Sequence, residues 1–188
     1  MENTKEKNTI IYADDNYESI KTLFKIRMPS LVIGLILGFG ISFITSNFEE
    51  VLSQNIKVAF FLPFIVYIAD AIGTQTESIY SRNLKTGKIK FIKYFYKELI
   101  LGIAFGSFFG IITGIISFFW FKQSLLSLSI CLGTFFAIIV APIIALATTH
   151  IFQFMHKDPA AGSGPVTTVI QDMASIVIYG IVCSLILL

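Results

Sequence analysis

Residues 99–121 read LILGIAFGSFFGIITGIISFFWF and contain no charged side chain. At about 1.5 Å of rise per residue, a helix of this length crosses the roughly 30 Å hydrocarbon core of a bilayer. Four further apolar runs flank it, over about Pro29–Ser46, Ile56–Ser81, Leu125–Phe154 and Val166–Leu188. The run from Ile56 contains Pro63 and stops being apolar at Asp70, but its helical periodicity continues to Ser81. Across the chain 55% of the residues are hydrophobic, 14% are charged and the mean hydropathy is +0.78, which excludes a soluble enzyme or a nucleic-acid binder as the first reading. The runs are continuous and punctuated by glycine, whereas strands of a membrane barrel would alternate apolar and polar over about ten residues. The sequence therefore predicts an all-α integral membrane protein with five transmembrane helices.

Within the central run, Gly102, Gly106, Gly110 and Gly114 recur every fourth residue and so share one helix face. A face without side chains lets another helix approach to backbone contact. Gly34 and Gly38 form a shorter version in the first span, and both sets read as packing devices. Cys131 and Cys183 lie inside apolar runs, where thiols act as small buried hydrophobes, and no disulfide framework or CxxC pair is present.

Residues 1–28 are polar and charged, with Tyr17, Ile20, Leu23 and Phe24 at roughly helical spacing between Lys21, Lys25 and Arg27. This segment reads as an amphipathic helix at the cytoplasmic interface, with a disordered tail as the alternative, and its polar start predicts no cleavable signal peptide. Pro29 is then expected in the first turn of the first span. The tail, the second-to-third connection (Arg82, Lys85, Lys88, Lys90, Lys93, Lys97) and Lys157 place 12 of the 14 basic residues on one side, leaving Lys57 and Lys122 on the other. The positive-inside rule then predicts a cytoplasmic N-terminus, and five crossings put the C-terminus outside, extracellular or periplasmic.

An ionisable side chain costs roughly 2.5 to 3.5 kcal/mol at the centre of a membrane helix. Asp70, Glu77, Glu98 and Asp172 are of this kind, and no Lys, Arg or His lies at comparable depth to neutralise them. In the last span Gly164, Thr168, Asp172 and Ser175, with Tyr179 beyond, recur at three- or four-residue steps, giving one polar face. In the second span Asp70, Thr74, Glu77 and Ser81 repeat the arrangement, with Gln75 and Ser78 beside it. Two polar-faced helices in one small bundle predict a lined pathway, and acidic lining without basic residues suits a cation. Carboxylate, hydroxyl and amide oxygens are hard ligands, favouring Mg²⁺ or Ca²⁺, and Mg²⁺ keeps its waters and needs only one or two carboxylates. A protonated Asp172 packed between helices and a proton relay are the alternatives.

Leu62–Ile65, Ile72-Gly73-Thr74-Gln75-Thr76, Lys97-Glu98-Leu99 and the run from Asp158 to Thr168 followed by Asp172 together resemble the membrane domain of MgtE-type magnesium transporters. The resemblance covers about residues 27–188, and the register of Ser163, Gly164, Pro165, Thr168 and Asp172 is its most specific part. It implies a homodimer of five-helix protomers with a pore at the twofold axis, lined by the second and fifth helices. It also implies that Asp172 is the pore carboxylate for a hydrated Mg²⁺, while Glu98 matches a family residue without ion contact. Two departures stand out. Where the family usually has Gly-Gly-Asn-Ala-Gly-Thr-Gln, this chain reads Ala69-Asp70-Ala71-Ile72-Gly73-Thr74-Gln75, so Asp70 replaces a Gly and Ala71 the Asn. Family members also commonly carry a cytosolic N-terminal domain and CBS domains, which residues 1–28 are too short to form.

The resulting expectation divides the chain into an interfacial segment, 1–28, and an ion-transport domain, 29–188. Magnesium is the transported substrate and Asp172 its ligand, with Asp70, Thr74, Glu77, Gly164, Thr168 and Ser175 lining the pore. The expected partners are a second copy, the lipid bilayer and, for gating, a separate regulatory subunit, with no nucleic acid. Competing expectations are a proton-coupled carrier of another divalent cation and a non-transporting assembly subunit. An intramembrane enzyme built on His150, His156 and Asp158 is disfavoured, because their spacing is not that of HExxH. Selectivity among Mg²⁺, Mn²⁺, Co²⁺ and Ca²⁺ is left open.

Overall fold

The computed structural model describes residues 17–84, 90–154 and 159–188. Every described element is an α-helix: α1 (Ile20–Ser46), α2 (Glu49–Gln54), α3 (Ile56–Ala59), α4 (Leu62–Leu84), α5 (Phe91–Phe121), α6 (Ser124–Phe154) and α7 (Pro159–Leu187). Five spans, with α3 and α4 counted as one, are long and apolar enough to cross a membrane, as the hydropathy pattern predicts. Residues 1–16, Lys85, Lys88, His156, Lys157 and Asp158 lie outside the described residues.

Several boundaries differ from the expected ones. The first span opens at Ile20, where the Ser19 hydroxyl accepts the Thr22 backbone N–H at 3.3 Å, so Pro29 lies inside α1 and not in its first turn. An interior proline deletes one backbone donor, a loss that apolar helices tolerate because side chains and neighbours re-satisfy the freed groups. Beside the proline the Ser30 hydroxyl donates to the Arg27 carbonyl at 2.9 Å, a bond separate from the Lys25 carbonyl that Pro29 leaves without its helical donor. α5 begins at Phe91, eight positions before Leu99, because Lys93, Lys97 and Glu98 lower the hydropathy of turns that are already helical. α7 likewise starts at Pro159, ahead of Val166. The short helices α2 and α3 were not foreseen.

α6 is the centre of the bundle: α5, α7 and α4 all pack on it, α4 also packs on α7, and α1 packs on α7. α5 and α6 are antiparallel, turning at Lys122, whose left-handed backbone (φ 57°) closes α5 as its N–H bonds the Phe118 carbonyl at 2.8 Å. The glycine ladder lies along this pair in strict register. A Cβ on Gly102, Gly106 or Gly110 would stand 3.0, 2.7 or 2.9 Å from the carbonyl oxygens of Ile139, Phe135 and Cys131, and one on Gly114 would stand 2.8 Å from the Cys131 Cβ. Backbone therefore touches backbone over three turns, as the four-residue spacing predicts. Gly38 departs from its expected role, since nothing lies within 4 Å of its Cβ position and α1 buries no residue in the protomer.

One end of the bundle is closed by α2 and α3, whose Val51 and Val58 join Phe61, Ile65, Leu126, Ile130, Ala137, Tyr179 and Cys183 in the apolar core. The Tyr179 hydroxyl donates to the Val58 carbonyl at 2.9 Å, holding the break between α3 and α4 against α7. Trp120 and Phe121 stack there beside Phe60 and Phe61, as an aromatic belt does at a membrane boundary. Lys57, one of the two basic residues expected on this side, donates to the Gln123 side chain at 3.2 Å and sits over the Phe121 ring.

Candidate functional site

The second seam, between α4 and α7, is polar. Gly73 of α4 has the Gln171 side-chain amide lying against its backbone, in the space a Cβ would fill. Gln171 is only 1% exposed, and its amide donates to the Ala141 carbonyl of α6 at 3.0 Å. One side chain thus ties three helices at one level, with its amide nitrogen bonded inside the bundle, where an unmet hydrogen bond costs about 1–3 kcal/mol.

The expected site residues are arranged around this junction. Asp70 lies one turn before Gly73 on α4, and Asp172 directly follows Gln171 on α7, so the Gly73–Gln171 contact brings the two acids to neighbouring levels of the seam. Both residues are half-buried, yet Oδ1 of Asp70 is sealed within the protomer and has no hydrogen-bond partner among the described residues. α7 carries no Lys, Arg or His, and α4 carries Arg82 only in its last turn, so neither helix brings a cation to this level.

Along α4, Glu77 is half-buried and Thr74 exposed. Along α7 the polar face divides. Thr167, Gln171, Ser175 and Tyr179, at four-residue steps, are buried inside the protomer, whereas Gly164, Thr168 and Asp172 are half-buried on the adjoining flank. Ser175, 2% exposed, thus turns inward and does not share the setting of Asp172. The Thr167 hydroxyl bonds that of Thr148 on α6 at 2.8 Å, and nothing lies within 4 Å of the Cβ position of Gly164.

Glu98 stands apart from this group. It is 8% exposed at the other polar contact of α4, where the Thr76 hydroxyl donates to its carboxylate at 2.8 Å. A neutral hydroxyl, not a cation, meets this charge, and it couples α4 to α5. His150 is likewise engaged: its Nδ1 lies 2.7 Å from the Tyr80 hydroxyl and its ring packs on Phe91 with centroids 4.5 Å apart. Among the described residues no group of three His, Cys, Asp or Glu is placed to hold a metal ion within one protomer.

Gln171, Thr76 and Tyr80 escaped the reading of the sequence. Gln171 stands four positions before Ser175 in an apolar helix, and that was a signal for it, because an amide there needs a partner. The partners of Thr76 and Tyr80 lie on distant helices and left no trace in local spacing.

The profile of the MgtE family, described as a divalent cation transporter, matches residues 62–182, the stretch from the start of α4 to near the end of α7. The magnesium transporter MgtE of Bacillus subtilis is 28% identical over 156 residues, which cover 81% of this chain and 35% of that protein. Those of Enterococcus faecalis and Thermus thermophilus are 27% and 26% identical over 156 and 168 residues, covering 81% and 88% of this chain. The chain spans about a third of the length of these relatives. All three are named as transporters, and the match runs through both carboxylate-bearing helices of the polar seam. This chain belongs to the MgtE family of divalent cation transporters.

Proposed function

We propose that this chain conducts Mg²⁺ across the membrane as a homodimer, with the pathway formed where the α4 and α7 helices of the two protomers meet. The observation that carries this reading is the pair Asp70 and Asp172, charged groups at membrane depth on helices that bring no cation of their own to that level. The names of the relatives supply the ion, and the hard-oxygen lining agrees with it. The half-buried flank of Gly164, Thr168 and Asp172 faces the twofold axis, joined by Asp70, Thr74 and Glu77 of α4. Asp172 of each protomer holds the ion through its hydration shell, and Ser175 contributes from behind by its place in the buried stripe. The N-terminus is cytoplasmic, and Mg²⁺ moves inward down its electrochemical gradient. A 100 mV potential is worth about 2.3 kcal/mol per elementary charge, and the dication carries two, so no further energy source is needed.

The unpartnered oxygen of Asp70 also fits a second reading, a proton held between the two carboxylates and exchanged for the cation. Proteoliposomes with an entrapped magnesium-sensitive dye separate the two. Uptake driven by a negative interior potential without a pH gradient, lost at least 100-fold in Asp172→Asn, supports the channel. Uptake that occurs only with an opposing proton gradient supports the exchanger. Undiminished uptake in Asp172→Asn would remove Asp172 from the pathway.

A further inference from the structure

We infer that the groove between α5 and α6, next to their turn, is a binding site for an anionic phospholipid, with one acyl chain lying in the groove and the headgroup phosphate held by Lys122. The inference is independent of the ion pathway proposed above, which lies at the α4–α7 seam.

The groove exists because the glycine ladder runs out. At Gly102, Gly106 and Gly110 a Cβ would stand 3.0 Å or less from a backbone oxygen of α6, whereas at Gly114 the nearest backbone atom, the Ser127 oxygen, is 3.6 Å away. The two helices part there, and Ile111, Ile115, Phe118 and Phe119 of α5 with Leu128 and Cys131 of α6 line an opening of about 440 Å³. All of these but Cys131 are exposed in the protomer, and no acidic residue joins the lining among the described residues. From Ile111 to Phe119 the groove runs about 12 Å along the helix axis, most of the roughly 15 Å that one leaflet contributes to the hydrocarbon core. An acyl chain of that leaflet fits this length. A spanning helix of a partner protein would run on past Gly110, where α5 and α6 close against each other.

Charge complementarity names the headgroup. The Lys122 ammonium lies 4.9 Å from the centre of the Phe119 ring, one wall of the groove, so a cation stands at the mouth, and Ser124 lines the same end. Lys122 is exposed, and its backbone closes α5 at a positive φ, a position that glycine or asparagine commonly holds. The turn itself therefore does not call for a lysine. An ammonium at the hydrocarbon boundary, its stem laid on an aromatic ring, is placed to meet a lipid phosphate. A zwitterionic headgroup brings its own ammonium against that charge, so the net-anionic lipid gains most. The groove between α1 and α2 at the same end of the bundle supplies the contrast: it too is largely apolar, at about 560 Å³, but its charged residue is Glu49, which repels the same headgroup.

The chain has one tryptophan, Trp120, at this end of α5. Trp120→Phe with Phe118→Trp moves the indole into the groove, where a dibrominated acyl chain quenches its fluorescence on contact. The test is this quenching in vesicles of phosphatidylcholine carrying increasing dibrominated phosphatidylglycerol, with dibrominated phosphatidylcholine as the reference. We expect phosphatidylglycerol to bind about fivefold tighter or more, the gain that one lysine gives near a membrane surface. The ratio should fall towards one in Lys122→Asn, and also at about 1 M salt, where the Debye length is about 3 Å. It should persist in Lys122→Arg and in Lys57→Gln. Asparagine suits the left-handed backbone, so Lys122→Asn keeps the fold, and its Tm in detergent checks this. A ratio of one in the starting protein would mean that bulk lipid fills the groove. An unchanged ratio in Lys122→Asn would leave the lysine a role only at the negative end of the helix. Either result overturns the inference.

Discussion

The α5–α6 and α4–α7 seams both depend on glycine, yet they solve different problems. Along α5–α6, four glycines bring backbone against backbone over three turns, and a single hydroxyl contact, Thr113 to Thr134 at 3.3 Å, crosses between the buried side chains. At α4–α7 a single glycine admits a glutamine amide, and the acids gather beside it. The first seam gains by dispersion along its whole length, and its buried hydroxyls are met mostly by carbonyls of their own helices. The second depends on one hydrogen bond and carries charge that the protomer alone does not neutralise. The scaffold seam and the proposed ion-handling seam are thus carried by different helices that all pack on α6.

Three glycine substitutions probe this contrast, and the largest effect belongs to the scaffold. Gly106→Val places a branched side chain where a Cβ would already stand 2.7 Å from the Phe135 carbonyl, a backbone atom that cannot swing away. We expect a loss of about 3 kcal/mol or more, read as a collapse of the thermal transition in detergent, and wild-type melting would break the comparison. Gly73→Ala is milder, because the atom it meets belongs to a side chain. It should displace the Gln171 amide from Ala141, cost about 1–3 kcal/mol and reduce ion uptake about tenfold. Gln171→Ala in the same chain should restore the melting temperature but not the uptake; recovery of both would mean the junction is only structural. Gly38→Ala is the smallest, since nothing lies near it in the protomer, and replacing a helical glycine should stabilise by about 0.5–1 kcal/mol. A measurable loss there would show that a second copy covers this face of α1.

The same contrast explains what could be foreseen. Spans are legible because the bilayer imposes a length and an apolar composition on each one separately, so residues 99–121 announce themselves without any knowledge of their neighbours. The glycine ladder is legible for a similar reason, since its period is that of one helix. Boundaries set by polar turns, such as Phe91 before Leu99 or Ile20 before Pro29, are hidden because hydropathy falls where the helix still continues. The six-residue α2 and four-residue α3 are too short to show a period at all. At the seam, the sequence offered the acids and the polar face of α7 but not its division. The step from Asp172 to Ser175 is three residues, which falls back about 60° around the helix. Asp172 therefore ends half-buried while Ser175 is buried, a difference set by which helices pack on α7 at each level. Partners such as Gln171 for Gly73, or Thr76 for Glu98, depend on which helices meet, and no local pattern encodes that.

The claim that the half-buried flank of α7 faces the ion is tested most directly by thiol accessibility in lipid. With Cys131 and Cys183 replaced by alanine, cysteine would be introduced singly at Thr168, on that flank, and at Ser117, fully buried on α5. We expect a small water-soluble thiol reagent to modify Thr168→Cys and to spare Ser117→Cys, with Mg²⁺ slowing the reaction at Thr168→Cys in a concentration-dependent way. An unreactive Thr168→Cys, or one whose labelling ignores Mg²⁺, would place the ion elsewhere.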